Sequence, residues 1–189
     1  MKKSLGARTL SFPLPAFLVG SYDEEGRANL MTAAWGGIVC SEPPCLAVAI
    51  RPSRWTFSAI VKNKAFTVSI PNSRLAAAVD YVGMFSGKDH DKFARTGLTP
   101  VKSDLVNAPY VDESPLIIEC QLHNSLELGS HTLFVGCIAD VKAEADLDFS
   151  RGSLDINEVD PIIYNSGGDY HKVGASLGKA YSIGMALKA

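Results

Sequence analysis

No segment of this 189-residue chain approaches the roughly 18 uninterrupted apolar residues that a membrane-spanning helix needs, so none is expected to span a bilayer. Cysteine is scarce. Cys40, Cys45, Cys120 and Cys137 are the only four, too few to staple a chain of this length, and reduced thiols in a cytoplasm are expected. Neither sign of charge dominates. The net charge is −2 with no long run of one sign, which makes no case for nucleic acid or an anionic membrane surface as partner. The opening MKKSLGARTLSFPLPAFLVG has two lysines but no adequate apolar stretch before Pro13 and Pro15 interrupt it, and it is read as uncleaved. No GxGxxG occurs. The nearest approach to a Walker A loop, GASLGKA from Gly174 to Ala180, is one residue short between its glycines and ends in Ala instead of Ser or Thr. These absences count against Rossmann and P-loop enzymes.

What is present is a composition for one packed core. Hydrophobic residues make up 47% and charged residues 20%, and no linker, repeat or low-complexity stretch divides the chain, so residues 1–189 are read as one domain. Residues 16–22 (AFLVGSY) are apolar and β-prone, DEEGR from Asp23 to Arg27 is a turn, and residues 28–39 resume an apolar run. The two runs read as a hairpin. Residues 45–50 (CLAVAI) have the look of a strand buried on both faces. A helix is expected from Arg54 to Asn63 with Ser53 as its N-cap, then a strand from Ala65 to Ile70 closed by Pro71. A second helix, Leu75 to Val82, follows with Ser73 as cap. The stretch from Gly83 to Asp112 has no clean period apart from a short helical turn near Asp91 and reads as a long surface excursion.

The clearest alternation is LIIECQLHN, residues 116–124. Ile118, Cys120 and Leu122 point one way, Glu119, Gln121 and His123 the other. ELGS then leads into a long strand from His131 to Ala145. A polar segment from Asp146 to Asp160 precedes PIIYNSGGDYHKVG, two tyrosines around a Gly-Gly turn. Strands at short spacing with few helices between them mean mostly antiparallel pairing: a barrel or sandwich with a few inserted helices.

A zinc site from Cys120, His123, His131 and Cys137 fails on geometry, because residues an odd number apart in a strand face opposite sides. Nothing places a base beside any thiol, so no cysteine nucleophile is read. No metal site is expected.

Two stretches carry more chemistry. In RPSRWTFSAIVKNKAF, Arg51 to Phe66, two arginines, a serine and a threonine crowd the start of the expected helix. Free N–H groups at a helix start, hydroxyl donors and an Arg fork make a phosphate site without a glycine-rich loop. An ordinary capped helix with solvated arginines is the other reading. In NLMTAAW, Asn29 to Trp35, polar Asn29 and Thr32 interrupt the strand, and small Ala33 and Ala34 lead to Trp35 and Gly36-Gly37. Small residues let a flat ligand approach the backbone, whose N–H and C=O groups read its edges. The alternative is a twisted or bulged strand in a tight core.

Asn29-Leu-Met-Thr-Ala-Ala-Trp35, then Pro43-Pro44 before an apolar strand, then Arg51-Pro-Ser-Arg-Trp-Thr56 before a helix, Ala65-Phe-Thr-Val-Ser-Ile-Pro71, and Leu128-Gly-Ser-His-Thr-Leu-Phe-Val-Gly136 occur in that order. In this the chain resembles the flavin reductase-like FMN-binding split-barrel family, within it the flavoredoxin branch. The likeness runs from about Phe12 to Gly174. It implies a mostly β fold, a Greek-key split β-barrel with a few inserted helices, and a homodimer with FMN near the subunit interface. Asn29, Met31, Thr32, Ala33, Ala34 and Trp35 would line the isoalloxazine. Arg51, Ser53, Arg54 and Thr56 would hold the phosphate. Lys88 would reach the flavin or its phosphate, His131 would sit near the flavin edge or the nicotinamide side as a candidate catalytic group, and Tyr164 and Tyr170 would cover the ring.

The implied function is an FMN-binding redox protein, with the redox chemistry carried by the cofactor. It is either an electron carrier between protein partners or an NAD(P)H-dependent flavin oxidoreductase that uses flavin as an exchangeable substrate. A split barrel that binds another flat ligand, such as haem, is the third reading, weakened because no histidine has a clear axial-ligand context.

Overall fold

A computed structural model describes residues 1–188. In chain order its elements are β1 (Leu14–Pro15), β2 (Phe17–Tyr22), β3 (Ala28–Ala33), β4 (Gly36–Ser41), β5 (Pro44–Ile50), α1 (Trp55–Asn63), β6 (Ala65–Ile70), α2 (Ala76–Met84), α3 (Lys92–Thr96), β7 (Pro100–Lys102), β8 (Pro109–Val111), β9 (Leu116–Glu127), β10 (Thr132–Ala143), α4 (Ile156–Val159), β11 (Ile162–Tyr164) and β12 (Tyr170–Lys172). None of the described helices is long and apolar enough to cross a membrane.

The expected hairpin forms. β2 and β3 pair from Phe17↔Ala33 to Tyr22↔Ala28, and the Asp23 carboxylate closes the turn by accepting from the N–H groups of Glu25 and Arg27, each at 2.9 Å. The run from 28 to 39 is not one strand, however. β3 stops at Ala33 and β4 starts at Gly36. These two strands are the opposite edges of a seven-stranded antiparallel sheet ordered β3-β2-β6-β9-β10-β5-β4. Only Ala34 and Trp35 join them, so the sheet must curl until its edges nearly meet. The result is a barrel split along one side. The N–H of Ala49 donates to the Trp35 carbonyl at 2.8 Å, which fixes the crossing.

The barrel interior is closed by Val19, Val48, Phe66, Val68, Ile118 and Phe134, with Ile60 of α1 as plug. A second apolar layer joins the outer face of β2 and β3, through Leu18 and Leu30, to Val79 and Val82 of α2, Phe93 of α3 and Ile162 of β11. β2 is therefore buried on both faces, although it reads as an ordinary hairpin strand. β5 is buried from Cys45 to Val48, as its unbroken apolar run implied.

Four local expectations need correction. The N-cap of α1 is Arg54, and no side chain caps it. Ser53 lies one residue too early to reach the N–H groups that an N-cap side chain serves. Ahead of α2, a 3₁₀ turn (Ser73–Leu75) is capped by the Asn72 side chain, and the Ser73 hydroxyl donates instead to the Asp160 carboxylate. The excursion from 83 to 112 does contain the short helix near Asp91, whose carboxylate caps α3 by accepting from Ala94 N–H at 3.0 Å. It also contains the β7–β8 hairpin, which covers the outer face of the sheet. There the Pro109 carbonyl accepts from the Thr67 hydroxyl, and Val111 N–H donates to Ser69 Oγ at 3.2 Å. Glu119 alternates outward as read, but that face is covered: its side chain is fully buried, and the Lys142 ammonium lies 3.1 Å from Oε2.

Candidate functional site: an electropositive cleft at the barrel split

A cleft of about 270 Å³ opens where the split meets the start of α1. Met31, Thr32 and Ala33 of β3 and the crossing residues Ala34 and Trp35 form one wall. Ala49 and Ile50 at the end of β5, followed by Arg51, form another. Ser53, Arg54, Trp55 and Thr56 close one end, and Val82, Gly83, Phe85, Ser86 and Gly87 face them from α2 and the loop after it. The strand register explains part of this convergence. Ile50 pairs with Thr132 across β5 and β10, so Arg51 and His131 leave adjacent strands side by side.

Positive charge is concentrated here. Arg51, Arg54 and Lys92 all line the cleft, and no aspartate or glutamate does. Neither arginine is within ion-pair distance of a carboxylate among the described residues. At the start of α1 the N–H groups of Trp55 and Thr56 have no acceptor among the described residues, because the helix lacks a side-chain cap. The missing cap leaves these groups free for a ligand. Trp55 also keeps a buried Nε1–H without a partner.

Lys92 is the cation that the sequence did not reveal. It is 5% exposed, and its ammonium donates to the carbonyls of Leu30 at 2.7 Å and Val82 at 2.9 Å. Burial, and then the nearby Arg54 charge, bring its pKa from 10.5 down to about 8. Burial disfavours an ammonium ion, and a second cation adds to the cost. A lysine in the first turn of a five-residue helix has no periodicity around it to mark it as buried.

His131 stacks on Trp35 with ring centroids 4.7 Å apart. Its Nε2 accepts from Arg51 Nε at 3.4 Å and its Nδ1 meets Ser130 Oγ at 2.9 Å. Burial first, then the Arg51 charge, push its pKa below the usual histidine value. An arginine can only donate, so Nε2 is the accepting nitrogen of this ring.

The remaining residues singled out from the sequence lie around the cleft rather than in it. Asn29 is buried behind the start of α1, and its Nδ2 donates to Thr56 Oγ1 at 3.0 Å. Its Oδ1 has no partner and lies against Gly87, where a Cβ would come within 2.0 Å of it. Only glycine lets the loop approach this closely. Lys88 faces a neighbouring recess with Asp23, Arg27 and His90. The turn on Ser86, whose hydroxyl accepts from Lys88 N–H at 3.2 Å, brings Gly87 inward and Lys88 outward. Tyr164 and Tyr170 stand in an adjoining chamber that shares Thr32, Ala34 and Gly83 with the cleft.

A family model for the flavin reductase like domain matches residues 9–173. The chain belongs to this family. Among solved structures it is similar to the flavoredoxin of Desulfovibrio vulgaris (Miyazaki F), with 49% identity, a TM-score of 0.92, and 97% of this chain and 100% of that one covered. A flavoredoxin from Methanosarcina acetivorans aligns with a TM-score of 0.90 at 29% identity, over 99% of this chain and 100% of that one. A split-barrel domain protein of Shewanella frigidimarina NCIMB 400 shares the fold, with a TM-score of 0.85 at 24% identity over 96% of this chain and 100% of that one. The family and its flavoredoxin relatives point to a flavin cofactor and a redox role for this flavin reductase-like domain. The cleft fits such a group: it offers the small residues Ala33 and Ala34 for a flat ring, and cationic groups without a carboxylate partner among the described residues, beside the free N–H groups of Trp55 and Thr56, for an anionic tail.

Proposed function

We propose that this flavin reductase-like protein binds FMN in the split-barrel cleft and transfers electrons through it. The observation that carries the reading is the pair of guanidinium groups, Arg51 and Arg54, with no carboxylate partner among the described residues, set against the uncapped start of α1. Charge-assisted hydrogen bonds from Arg to phosphate oxygens are the strong kind. In this reading Arg51, Ser53, Arg54 and the N–H groups of Trp55 and Thr56 hold the phosphate. Asn29 orients the Thr56 hydroxyl toward it. Met31, Thr32, Ala33, Ala34 and Trp35 present backbone edges to the ring, and His131 packs on Trp35 at its margin. Lys92 supplies a cation that stabilises negative charge on the ligand. When bound, the flavin supplies the redox chemistry itself.

The protein is read as a cytoplasmic homodimer. Ile38 and Val39 are 65% and 54% exposed on the edge strand β4, next to half-exposed Trp35, and an exposed apolar strip of this kind is suited to a second copy. The electron donor is NAD(P)H or a redox protein. Anaerobic addition of NADH or NADPH to FMN-loaded protein separates the two. Bleaching at a catalytic rate assigns a flavin reductase. A flavin that stays oxidised until dithionite is added assigns an electron carrier of the flavoredoxin type.

A further inference from the structure

Beside the cleft lies a second chamber of about 390 Å³, with different chemistry. One wall is formed by Tyr164 and Tyr170, cross-strand partners of the β11–β12 hairpin whose ring centroids lie 5.6 Å apart with planes tilted by 49°. The hairpin is fastened to α2, because the Tyr170 hydroxyl donates to Asp80 Oδ1 at 3.3 Å. Small residues, Ala16, Ala34, Gly83 and Gly168, leave the space open. At Gly83, α2 comes so close to β3 that a Cβ would lie 3.3 Å from the Thr32 Cβ.

The charges of the two spaces are opposite. Arginine and lysine line the cleft and no acid does, whereas Asp80 is the only charged group lining the chamber. Thr32, Ala34 and Gly83 belong to both linings. We infer that the chamber is a binding site for a second small molecule: a planar aromatic ring compound that is uncharged or cationic, packed against the wall formed by the two tyrosines beside the flavin cleft. Aromatic walls favour a flat partner through offset stacking, and a cation gains from both the ring faces and the carboxylate. A phosphate or carboxylate meets no cation there and faces Asp80, so anionic compounds are rejected. The inference takes its place beside a flavin from the function proposed above, but the lining that selects the ring is independent of it.

The test compares three redox-inert probes of one shape: quinoline, N-methylquinolinium and quinoline-3-carboxylate. Each is titrated into the full chain, with and without FMN, and binding is read by saturation-transfer NMR and by perturbation of flavin absorbance. Quinoline and N-methylquinolinium should bind in the presence of FMN, and the carboxylate should bind at least about tenfold more weakly than the cation, the size of effect opposite charges produce at a half-buried site. Asp80→Asn should weaken N-methylquinolinium about threefold and leave quinoline unchanged. Met84 lines the chamber and is 63% exposed, so Met84→Trp should fill the mouth without disturbing the core. It should weaken the neutral and cationic probes by about tenfold or more while the FMN dissociation constant stays within about twofold of wild type. The inference is overturned if the carboxylate binds as well as the cation, if neither variant changes probe binding, or if Met84→Trp weakens FMN and FMN displaces the probes, since the chamber would then be the far end of the flavin cleft. Failure of FMN itself to bind the wild-type chain, with probe binding intact, would instead remove the flavin reading.

Discussion

At the residue scale the account rests on a few unpaired donors. Replacing Ser53 and Arg54 together by alanine should weaken FMN binding by about 2–4 kcal/mol while hardly changing riboflavin binding, because only FMN carries the phosphate those residues meet. Parallel fluorescence titrations with the two ligands check this, and equal weakening would place the phosphate elsewhere. Lys92 gives a pH dependence with a definite sign. Its folded pKa is about 8 against an ordinary 10.5, so the ammonium is disfavoured in the apo fold. For this group, stability is fully present above about 10.5 and is lost as the pH falls from there through about 8. An anionic ligand restores the proton, so FMN affinity should be highest below pH 8 and decline above it. Lys92→Met should flatten that slope, and should also destabilise the apo protein by about 1–3 kcal/mol, since the carbonyls of Leu30 and Val82 lose their donor. Dissociation constants measured over ~3 pH units around pH 8 test the slope, and denaturant unfolding of the apo protein tests the stability. Arg51, Ser53, Arg54 and Thr56 were legible in the sequence because they fall within a single turn of chain. Lys92 was not, because its burial depends on how α3 folds back onto the preceding helix α2 and onto β3, whose Leu30 lies 62 residues away in the chain.

At the element scale, the alternating strands and the main helices were readable, while the ends of strands and the covers were not. The break at Ala34–Trp35 is invisible locally. Both halves are apolar, and only pairing with β2 on one side and β5 on the other separates them. The outward face of β9 likewise reads as solvent-facing until the β7–β8 hairpin covers Glu119. Two substitutions probe such features. Lys64 ends α1 in the left-handed region at φ 54°, which strains a residue with a Cβ. Lys64→Gly should therefore raise stability by about 1 kcal/mol, read as a higher Tm. Gly87→Ala should do the reverse. Its methyl group would displace Asn29, which in turn releases Thr56, so FMN affinity should fall along with thermal stability.

At the scale of the whole molecule, the split in the barrel is what creates the site. The sheet's two edges are consecutive in the chain, so they must approach each other without pairing, and the gap between them collects the start of α1, the loop after α2 and the end of β5. The same edge strand exposes Ile38 and Val39. Changing both to aspartate should convert the proposed homodimer to monomer in light-scattering chromatography, and should weaken FMN if the interface borders the cofactor. The central claim is that the cationic end of the cleft is a flavin phosphate site. It is tested most directly by titrating the purified wild-type chain with FMN and with riboflavin, following the flavin absorbance. The account predicts that FMN binds at least about a hundredfold more tightly, as two charge-assisted contacts would produce. Equal affinity for the two, or no binding of either, would contradict it.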